Sequence, residues 1–279
     1  MQDSITTAPT QFVSVGNVLF AYRRFGKKGD LPIVFLQHFT GTMDHWDPSV
    51  ADGIAENHEV IVFDNRGVGD SEGSMPSTIQ EMTNDALGFI KALGLERVNL
   101  LAYSLGGFVG QMILKMRPGL VNKVVLVGTG QKGGAGKSGF RKFTEVAFSL
   151  TGVERYLFIY YTKSDKNRRL GTEVLKRLHA SITDRDVDSS AVTVRSRTKP
   201  MDDWSLSDKK EDDFLRKTTQ PVLVVNGSDD AMFNPVSSFD LFKVLPNAQP
   251  IVNPEASHTP VFQYPDLFVE QVNYFLEYD

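Results

Sequence analysis

The sequence predicts an α/β fold, in which a mostly parallel twisted sheet carries helices on both faces. Short runs of consecutive apolar residues alternate with segments of helical period, as in a sheet that is covered on both sides. The chain opens with a hairpin pattern, and the alternation breaks once, between residues 129 and 217. We therefore predict a core made of residues 1–128 and 218–279, with residues 129–217 inserted as a helical lid (the insertion).

The elements can be taken in order along the chain. Two alternating runs around Gly16-Asn17 form the predicted N-terminal hairpin. A helix over about 77–93 begins with capping residues and ends before Gly94, which can stop a helix. The remaining predictions are apolar strands at 33–36, 60–63, 100–102, 124–127, 221–225 and 250–252, and helices at 48–55, 105–117, 235–245 and 265–278.

The composition excludes several classes of function. A net charge of −4 over 279 residues lacks the excess of positive charge that is typical of a nucleic-acid-binding protein. The chain has no cysteine, which excludes disulfides, a thiol nucleophile and thiolate metal sites. The first ten residues are polar, and no apolar run approaches the roughly 20 residues that span a bilayer. We expect a soluble, cytoplasmic protein that binds neither nucleic acid nor membrane.

Ser104 lies where a predicted buried strand meets a predicted helix. The surrounding sequence is Ala102-Tyr103-Ser104-Leu105-Gly106-Gly107. A serine at such a junction can be thrust outward on a sharp turn and act as a nucleophile. Serine is also a common helix N-cap, so this stretch alone leaves two interpretations open.

Polar residues after two later strands supply the partners that a serine nucleophile needs. A base must take the hydroxyl proton, and an acid must orient that base. The carboxyl ends of parallel strands converge at one edge of a sheet, and Asp229-Asp230 and His258 follow the strands after the insertion. The Gly227-x-x-Asp230 spacing favours Asp230 over Asp229. Among five histidines, His258 fits the order Ser, Asp, His of this architecture.

Taken together, these motifs resemble the α/β-hydrolase superfamily over the whole chain. Among its subfamilies, the sequence is most similar to the small cofactor-free haloperoxidases, esterases and lactonase-like enzymes. The resemblance implies a serine hydrolase that uses no cofactor and no metal ion. The expected substrate is a small apolar ester, thioester or lactone, cleaved through an acyl-serine intermediate. The motifs that carry the resemblance are Gln37-His38-Phe39, Asp64-x-Arg66-Gly67-x-Gly69-x-Ser71, the Ser104 segment, Gly227-x-x-Asp230 and Ser257-His258-x-Pro260.

Two positions depart from the family pattern. Acyl transfer needs two N–H donors for the developing negative oxygen, and Leu105, after the nucleophile, supplies the first. The family usually has His-Gly before the second donor, but here those places hold Gln37 and His38. Phe39 is therefore the predicted second donor, with Thr40 as the alternative. Ala102 replaces the first glycine of the elbow, and we expect its methyl group to tighten the packing there. The predicted pocket residues are His38, Thr40, Tyr103 and Trp204.

Other functions on the same fold stay open. Relatives that open epoxides or cleave carbon–halogen bonds carry Asp at the elbow, so Ser104 argues against both reactions. Carbon–carbon bond hydrolysis and the formation of peracids by haloperoxidases use the same triad. A non-catalytic ligand receptor is the alternative from another class, since a fold does not determine function. The sequence also leaves open which aromatic residues of the insertion line an apolar pocket.

Overall fold

An eight-stranded sheet forms the centre of the molecule. The computed structural model describes residues 3–29, 31–39, 41–134, 137–179, 185–187, 191–207 and 213–278, with the main chain alone at 137–141 and 191–195. The strands are β1 (Gln11–Val15), β2 (Val18–Gly26), β3 (Ile33–Leu36), β4 (Glu59–Phe63), β5 (Val98–Tyr103), β6 (Val121–Val127), β7 (Val222–Gly227) and β8 (Ala248–Asn253).

The strand order is β1-β2-β4-β3-β5-β6-β7-β8. The pairs β1–β2 and β2–β4 are antiparallel, and every later pair is parallel. The predicted hairpin and the mostly parallel sheet are therefore confirmed. Because β3 to β8 all run in one direction, the loops that follow them meet at a single edge.

Helices cover both faces of the sheet. The helices are α1 (Pro48–Ala55), α2 (Ile79–Ala92), α3 (Leu105–Met116), α4 (Lys137–Ser149), α5 (Gly152–Tyr160), α6 (Asp165–Leu178), α7 (Ala191–Ser205), α8 (Pro235–Val244), α9 (Pro260–Gln263) and α10 (Pro265–Glu277).

Each face has its own apolar core. Helices α2, α3 and α8 pack in one core cluster, while α1 and α10 pack in the other. Along β3, Val34 and Leu36 belong to the first cluster and Ile33 and Phe35 to the second. This alternation explains why the strand is a continuous apolar run, since both of its faces are buried.

The observed elements differ from the predicted ones chiefly at their ends. Strands β5 and β6 begin two to three residues before their predicted starts, because Asn99 pairs with Ile33 and Val121 pairs with Val98 across polar positions that interrupt the apolar runs. Helix α9 was not predicted, since four residues are too few to show a helical period. None of the described helices is long and apolar enough to cross a membrane.

Four helices, α4 to α7, lie within the insertion between β6 and β7, and its described residues contain no strand. Side chains join them to the loop after β8. Asn167 Nδ2 donates to the Glu255 carbonyl oxygen at 2.7 Å, and Thr259 Oγ1 donates to the Tyr160 carbonyl oxygen at 2.9 Å. These bonds hold α5 and α6 at the edge of the sheet where the parallel strands end.

Acidic side chains meet where residues 185–187 pack against the core. Asp44 Oδ1 lies 2.6 Å from Arg23 Nη1, and Asp44 Oδ2 accepts from the Asp186 N–H at 2.8 Å. Asp64 accepts from the Met43 N–H at 2.8 Å. Burial, followed by the nearby Asp186 carboxylate, raises the pKa of Asp64 well above its ordinary value. Burial and the charge of Asp44 raise the pKa of Asp186 to about 6.

Asp186→Asn is expected to stabilise the protein near neutral pH and not in acid. A raised carboxyl pKa means that ionisation opposes folding. The cost is therefore absent below the ordinary pKa of 3.8, grows as pH rises and is complete above about 6. Asparagine stays neutral, so thermal melts should show a Tm gain of about 2–4 °C at pH 7.5 and none at pH 3.5. The exposed Asp229→Asn is the control, and an equal gain at both pH values would contradict the prediction.

Candidate active site

Ser104, His258 and Asp230 form a continuous hydrogen-bonded chain. His258 Nε2 lies 2.9 Å from Ser104 Oγ, and His258 Nδ1 lies 2.9 Å from Asp230 Oδ2. At most 2% of each of these residues is exposed. If Nδ1–H donates to the carboxylate, Nε2 is left as the acceptor for the serine proton. The arrangement therefore suits transfer of that proton to the imidazole.

Ser104 occupies a strained turn between β5 and α3. Its φ of 55° and ψ of −116° are costly for a residue with a side chain. Its N–H donates to the Val127 carbonyl oxygen at 2.8 Å, which holds the turn against β6. Ser104 stands at the N-cap position of α3, but its side chain makes no capping hydrogen bond. The hydroxyl faces His258 instead, so the N-cap interpretation does not describe it.

Small residues let the turn pack closely. A Cβ on Gly106 would lie 2.1 Å from the Leu36 carbonyl oxygen, so only glycine fits between α3 and the end of β3. The Ala102 methyl group packs against α3 at Gly110, where an added Cβ would lie 3.1 Å from it. The expected tightening by Ala102 thus falls on the helix after the elbow.

Two backbone groups fix the carboxylate beside His258. Asp230 Oδ1 accepts from the N–H groups of Met232 and Phe233 at 2.8 and 2.9 Å, which leaves Oδ2 for the imidazole. Asp229 is exposed, and its Oδ2 accepts from Ser228 Oγ at 2.6 Å. The structure thus brings Asp230, and not Asp229, to the histidine.

The two predicted oxyanion donors have no described hydrogen-bond acceptor for their backbone N–H groups. Within the described part of the chain, no acceptor meets the N–H of Phe39 or of Leu105. Leu105 is the first residue of α3, where an N–H has no acceptor inside the helix. Thr40, which is the alternative donor and a predicted pocket residue, lies outside the described residues.

A cavity of about 170 Å³ is lined by Ser104 and His258. His38 and Phe39 line it from the loop after β3. Its remaining walls are largely apolar and come mostly from the insertion, where the aromatic and large aliphatic members are Phe143, Phe148, Ile159, Tyr160 and Met201.

His38 is a buried and neutral member of this lining. Burial is the main cause that lowers its pKa well below 6.5, and the charges of His45, His258 and Arg197 lower it further. Its Nδ1 lies 3.5 Å from the Tyr160 hydroxyl, at the limit of a hydrogen bond. A neutral imidazole in this position can donate or accept a hydrogen bond, but it brings no charge to the cavity.

Two predicted pocket residues lie elsewhere. Tyr103 is fully buried and donates its hydroxyl to the His258 carbonyl oxygen at 3.1 Å, so it supports the histidine loop from beneath. Its ring lies 5.2 Å from the His38 ring and 5.4 Å from the His258 ring, so it packs behind two residues that line the cavity. Trp204 stacks on Phe108 at 4.9 Å and donates to the Gly130 carbonyl oxygen at 3.1 Å. Neither side chain lines the cavity, which corrects the sequence-based expectation.

Comparison with known proteins identifies the family of the chain. A sequence model of the alpha/beta hydrolase fold matches residues 32–265, which is most of the chain. The protein belongs to the α/β-hydrolase family. The expected family and fold class are thereby confirmed.

The names of individual relatives of this α/β hydrolase refer to different activities. It is 38% identical to a solved alpha/beta hydrolase fold protein from Chitinophaga pinensis, with a TM-score of 0.94 over 99% of this chain and 100% of that one. It is 26% identical to a Mycobacterium tuberculosis protein named as a non-heme bromoperoxidase, BpoC, over 84% of this chain and 89% of the other. It is 25% identical to an Agrobacterium fabrum protein named as a carbamate hydrolase, RutD, over 85% of this chain and 89% of the other.

One contributor to this α/β-hydrolase site was missed by sequence reasoning. Gln37 was noted only as a departure from the family's His-Gly pair. Its Oε1 accepts from the His38 N–H at 2.8 Å, and its Nε2 donates to the Thr42 carbonyl oxygen at 2.5 Å. The side chain thus bridges both ends of the loop that carries Phe39. No local sequence signal marks such a bridge, since it depends on the path of the loop.

Proposed function

We propose that this α/β hydrolase is a serine hydrolase that cleaves a small apolar ester, thioester or lactone. The observation that carries the proposal is the hydrogen-bonded chain from Ser104 through His258 to Asp230 beside an apolar cavity. A hydroxyl next to a neutral, carboxylate-oriented imidazole is an activated nucleophile. The family contributes the hydrolase class, and the geometry of these three residues favours acyl transfer within it.

The reaction would run in two halves. Ser104 Oγ attacks the carbonyl carbon while His258 Nε2 takes its proton, and the N–H groups of Phe39 and Leu105 bind the resulting oxyanion. When the carbonyl re-forms, the bond to the leaving oxygen or sulfur breaks, and His258 returns the proton to that atom. A water that loses its proton to His258 then attacks the acyl-serine, and His258 returns this proton to Ser104 Oγ as the bond to the acyl group breaks and the acid is released.

The cavity supports a substrate of modest size. Its volume of about 170 Å³ is below the usual range for drug-sized ligands, and apolar side chains dominate its walls. His38 supplies a neutral polar group, and the charged side chains of the lining are those of Arg155 and Asp202. We therefore expect short acyl groups, such as acetyl or butyryl, to be preferred over long ones.

Labelling with a fluorophosphonate tests the proposal. The expected result is one phosphonyl adduct per chain, which peptide mass spectrometry maps to Ser104. The Ser104→Ala variant should form no adduct and should not turn over p-nitrophenyl acetate. A folded wild-type protein that forms no adduct would refute the proposal and favour the hypothesis that the protein is a non-catalytic ligand receptor.

The relatives' names favour one second candidate. Similarity to a protein named as a bromoperoxidase suggests that hydrogen peroxide, in place of water, attacks the acyl-serine and releases a peracid. The first half of the reaction is the same in both cases. Assays with acetate and hydrogen peroxide, run beside p-nitrophenyl acetate, p-nitrophenyl carbamates and a carbon–carbon cleavage substrate, distinguish these outcomes.

A further inference from the structure

Arg197 joins the insertion to the loop that carries a predicted oxyanion donor. It lies on α7 and is fully buried. Its Nη1 donates to the Phe39 carbonyl oxygen at 3.0 Å. The same helix supplies Thr198 and Met201 to the lining of the cavity. An arginine of the insertion therefore binds the backbone of Phe39, the predicted second oxyanion donor.

No ion pair within the described residues explains the burial of this arginine. Its Nε and Nη2 atoms are buried without a hydrogen-bond partner there. Burial lowers the pKa of Arg197 to about 10 against the opposing effect of the Asp64 charge, so the side chain still carries its charge at neutral pH. Burying a charged group without full pairing is costly, and proteins retain such groups mainly where function needs them.

The loop is braced from the core on both sides of Phe39. Gln37 holds the His38 N–H and the Thr42 carbonyl group, and Asp64 accepts from the Met43 N–H. Among the described residues, the Phe39 carbonyl oxygen accepts only from Arg197. The core therefore fixes the flanks of the loop, while the insertion fixes its centre.

We propose that Arg197 is a positioning residue that aligns the Phe39 peptide, so that the oxyanion hole is complete only when α7 is seated on the core. This inference rests on the proposed function. The Phe39 carbonyl lies on the peptide plane that follows the Phe39 Cα, and the Phe39 N–H lies on the plane that precedes it, whose His38 carbonyl oxygen accepts from the Gly41 N–H at 3.2 Å. With both planes held, the φ and ψ angles of Phe39 that join them are restricted. A displacement of about 1 Å in a catalytic group can cost about 10²-fold in rate.

Substitution of Arg197 tests the inference. Arg197→Met keeps the volume but removes the donor, and we expect kcat for p-nitrophenyl acetate to fall about 10–100-fold with little change in KM. Arg197→Lys, which can still donate to the Phe39 carbonyl, should recover most of the loss. Arg168→Gln is the matched control, since Arg168 lies in the insertion and pairs at the surface with Glu154. It should leave kcat unchanged.

A tetrahedral inhibitor separates alignment from folding. An alkylboronic acid forms an adduct on Ser104 whose oxygen occupies the oxyanion hole, so its Ki should rise in Arg197→Met by the same factor by which kcat falls. Binding of the carboxylic acid product should change much less. If Arg197 only stabilises the insertion, KM and Tm change while kcat and the boronate Ki do not, and this result overturns the inference.

The same measurements separate the two proposals. A wild type that is labelled at Ser104 and active, with Arg197→Met as fast as Arg168→Gln, overturns the role of Arg197 and leaves the proposed function intact. A wild-type protein that forms no adduct and turns over no ester contradicts both the proposed function and the role of Arg197. If Arg197→Met does not fold, kcat and the boronate Ki are compared between Arg197→Lys and Arg197→Gln instead. We expect Arg197→Gln to have the lower kcat.

Discussion

Asp230→Asn is expected to lower kcat for p-nitrophenyl esters about 10⁴-fold. Two backbone N–H groups already occupy Asp230 Oδ1, so the amide oxygen would take that place and its NH₂ group would face His258 Nδ1. Nδ1 would then have to accept, which puts the ring proton on Nε2, where it opposes Ser104 Oγ. The base would be present in the wrong tautomer, and the serine proton would have no acceptor.

Asp229→Asn is the matched control for this substitution. Asp229 is the adjacent residue with the same charge, but it is exposed and bonds only to Ser228 among the side-chain contacts described. Its kcat should stay within about twofold of the wild-type value, because surface substitutions rarely disturb a structure. Steady-state kinetics with circular dichroism as a folding check provide the measurement. Equal losses in both variants would contradict the assignment of Asp230.

Gly106→Ala is expected to have the largest effect on stability among single methyl additions near the elbow. The new Cβ would lie 2.1 Å from the Leu36 carbonyl oxygen and 3.0 Å from that of Gln37. Both atoms belong to the backbone of β3 and the loop after it, which cannot move aside cheaply. We expect a loss of about 1–3 kcal/mol in the free energy of unfolding, measured by urea denaturation.

The same substitution should also reduce activity. Pushing the end of β3 away from α3 separates the Phe39 loop from Leu105, so kcat should fall even in the folded fraction. Gly119→Ala is the control, because a Cβ there meets no atom within 4 Å and the residue does not need a positive φ. A Gly106→Ala variant as stable and active as Gly119→Ala would show that the contact is not tight in solution.

The sequence was sufficient to predict the fold. Buried strands such as β3 are continuous apolar runs because both faces of the sheet are covered, and that pattern is visible without a structure. The N-terminal hairpin and the strand-to-helix junction at Ser104 are equally local signals. The order of Ser104, Asp230 and His258 along the chain predicts their meeting, because parallel strands bring successive carboxyl ends to one edge.

Features that depend on contacts between distant parts of the fold could not be predicted from the sequence. Tyr103 lies next to Ser104 in sequence, yet its ring packs behind His38 and His258 and its hydroxyl donates to the His258 carbonyl oxygen. Trp204 is one of several aromatic residues of the insertion, and only its packing on Phe108 shows that it lies outside the cavity. Local sequence does not report which of many apolar side chains a neighbouring helix will cover.

The sequence by itself determined the fold class, the family, and the candidate nucleophile, acid and base, because periodicity and motif order are local or topological properties. Tertiary structure alone decided how the site is supported. The bridge made by Gln37 and the bond from Arg197 to Phe39 join segments up to 158 positions apart. The Arg197 bond exists only once the insertion has packed on the core, and the Gln37 bridge depends on the path of the loop after β3. Buried polar groups take hydrogen-bond partners in the folded chain that their local sequence does not specify.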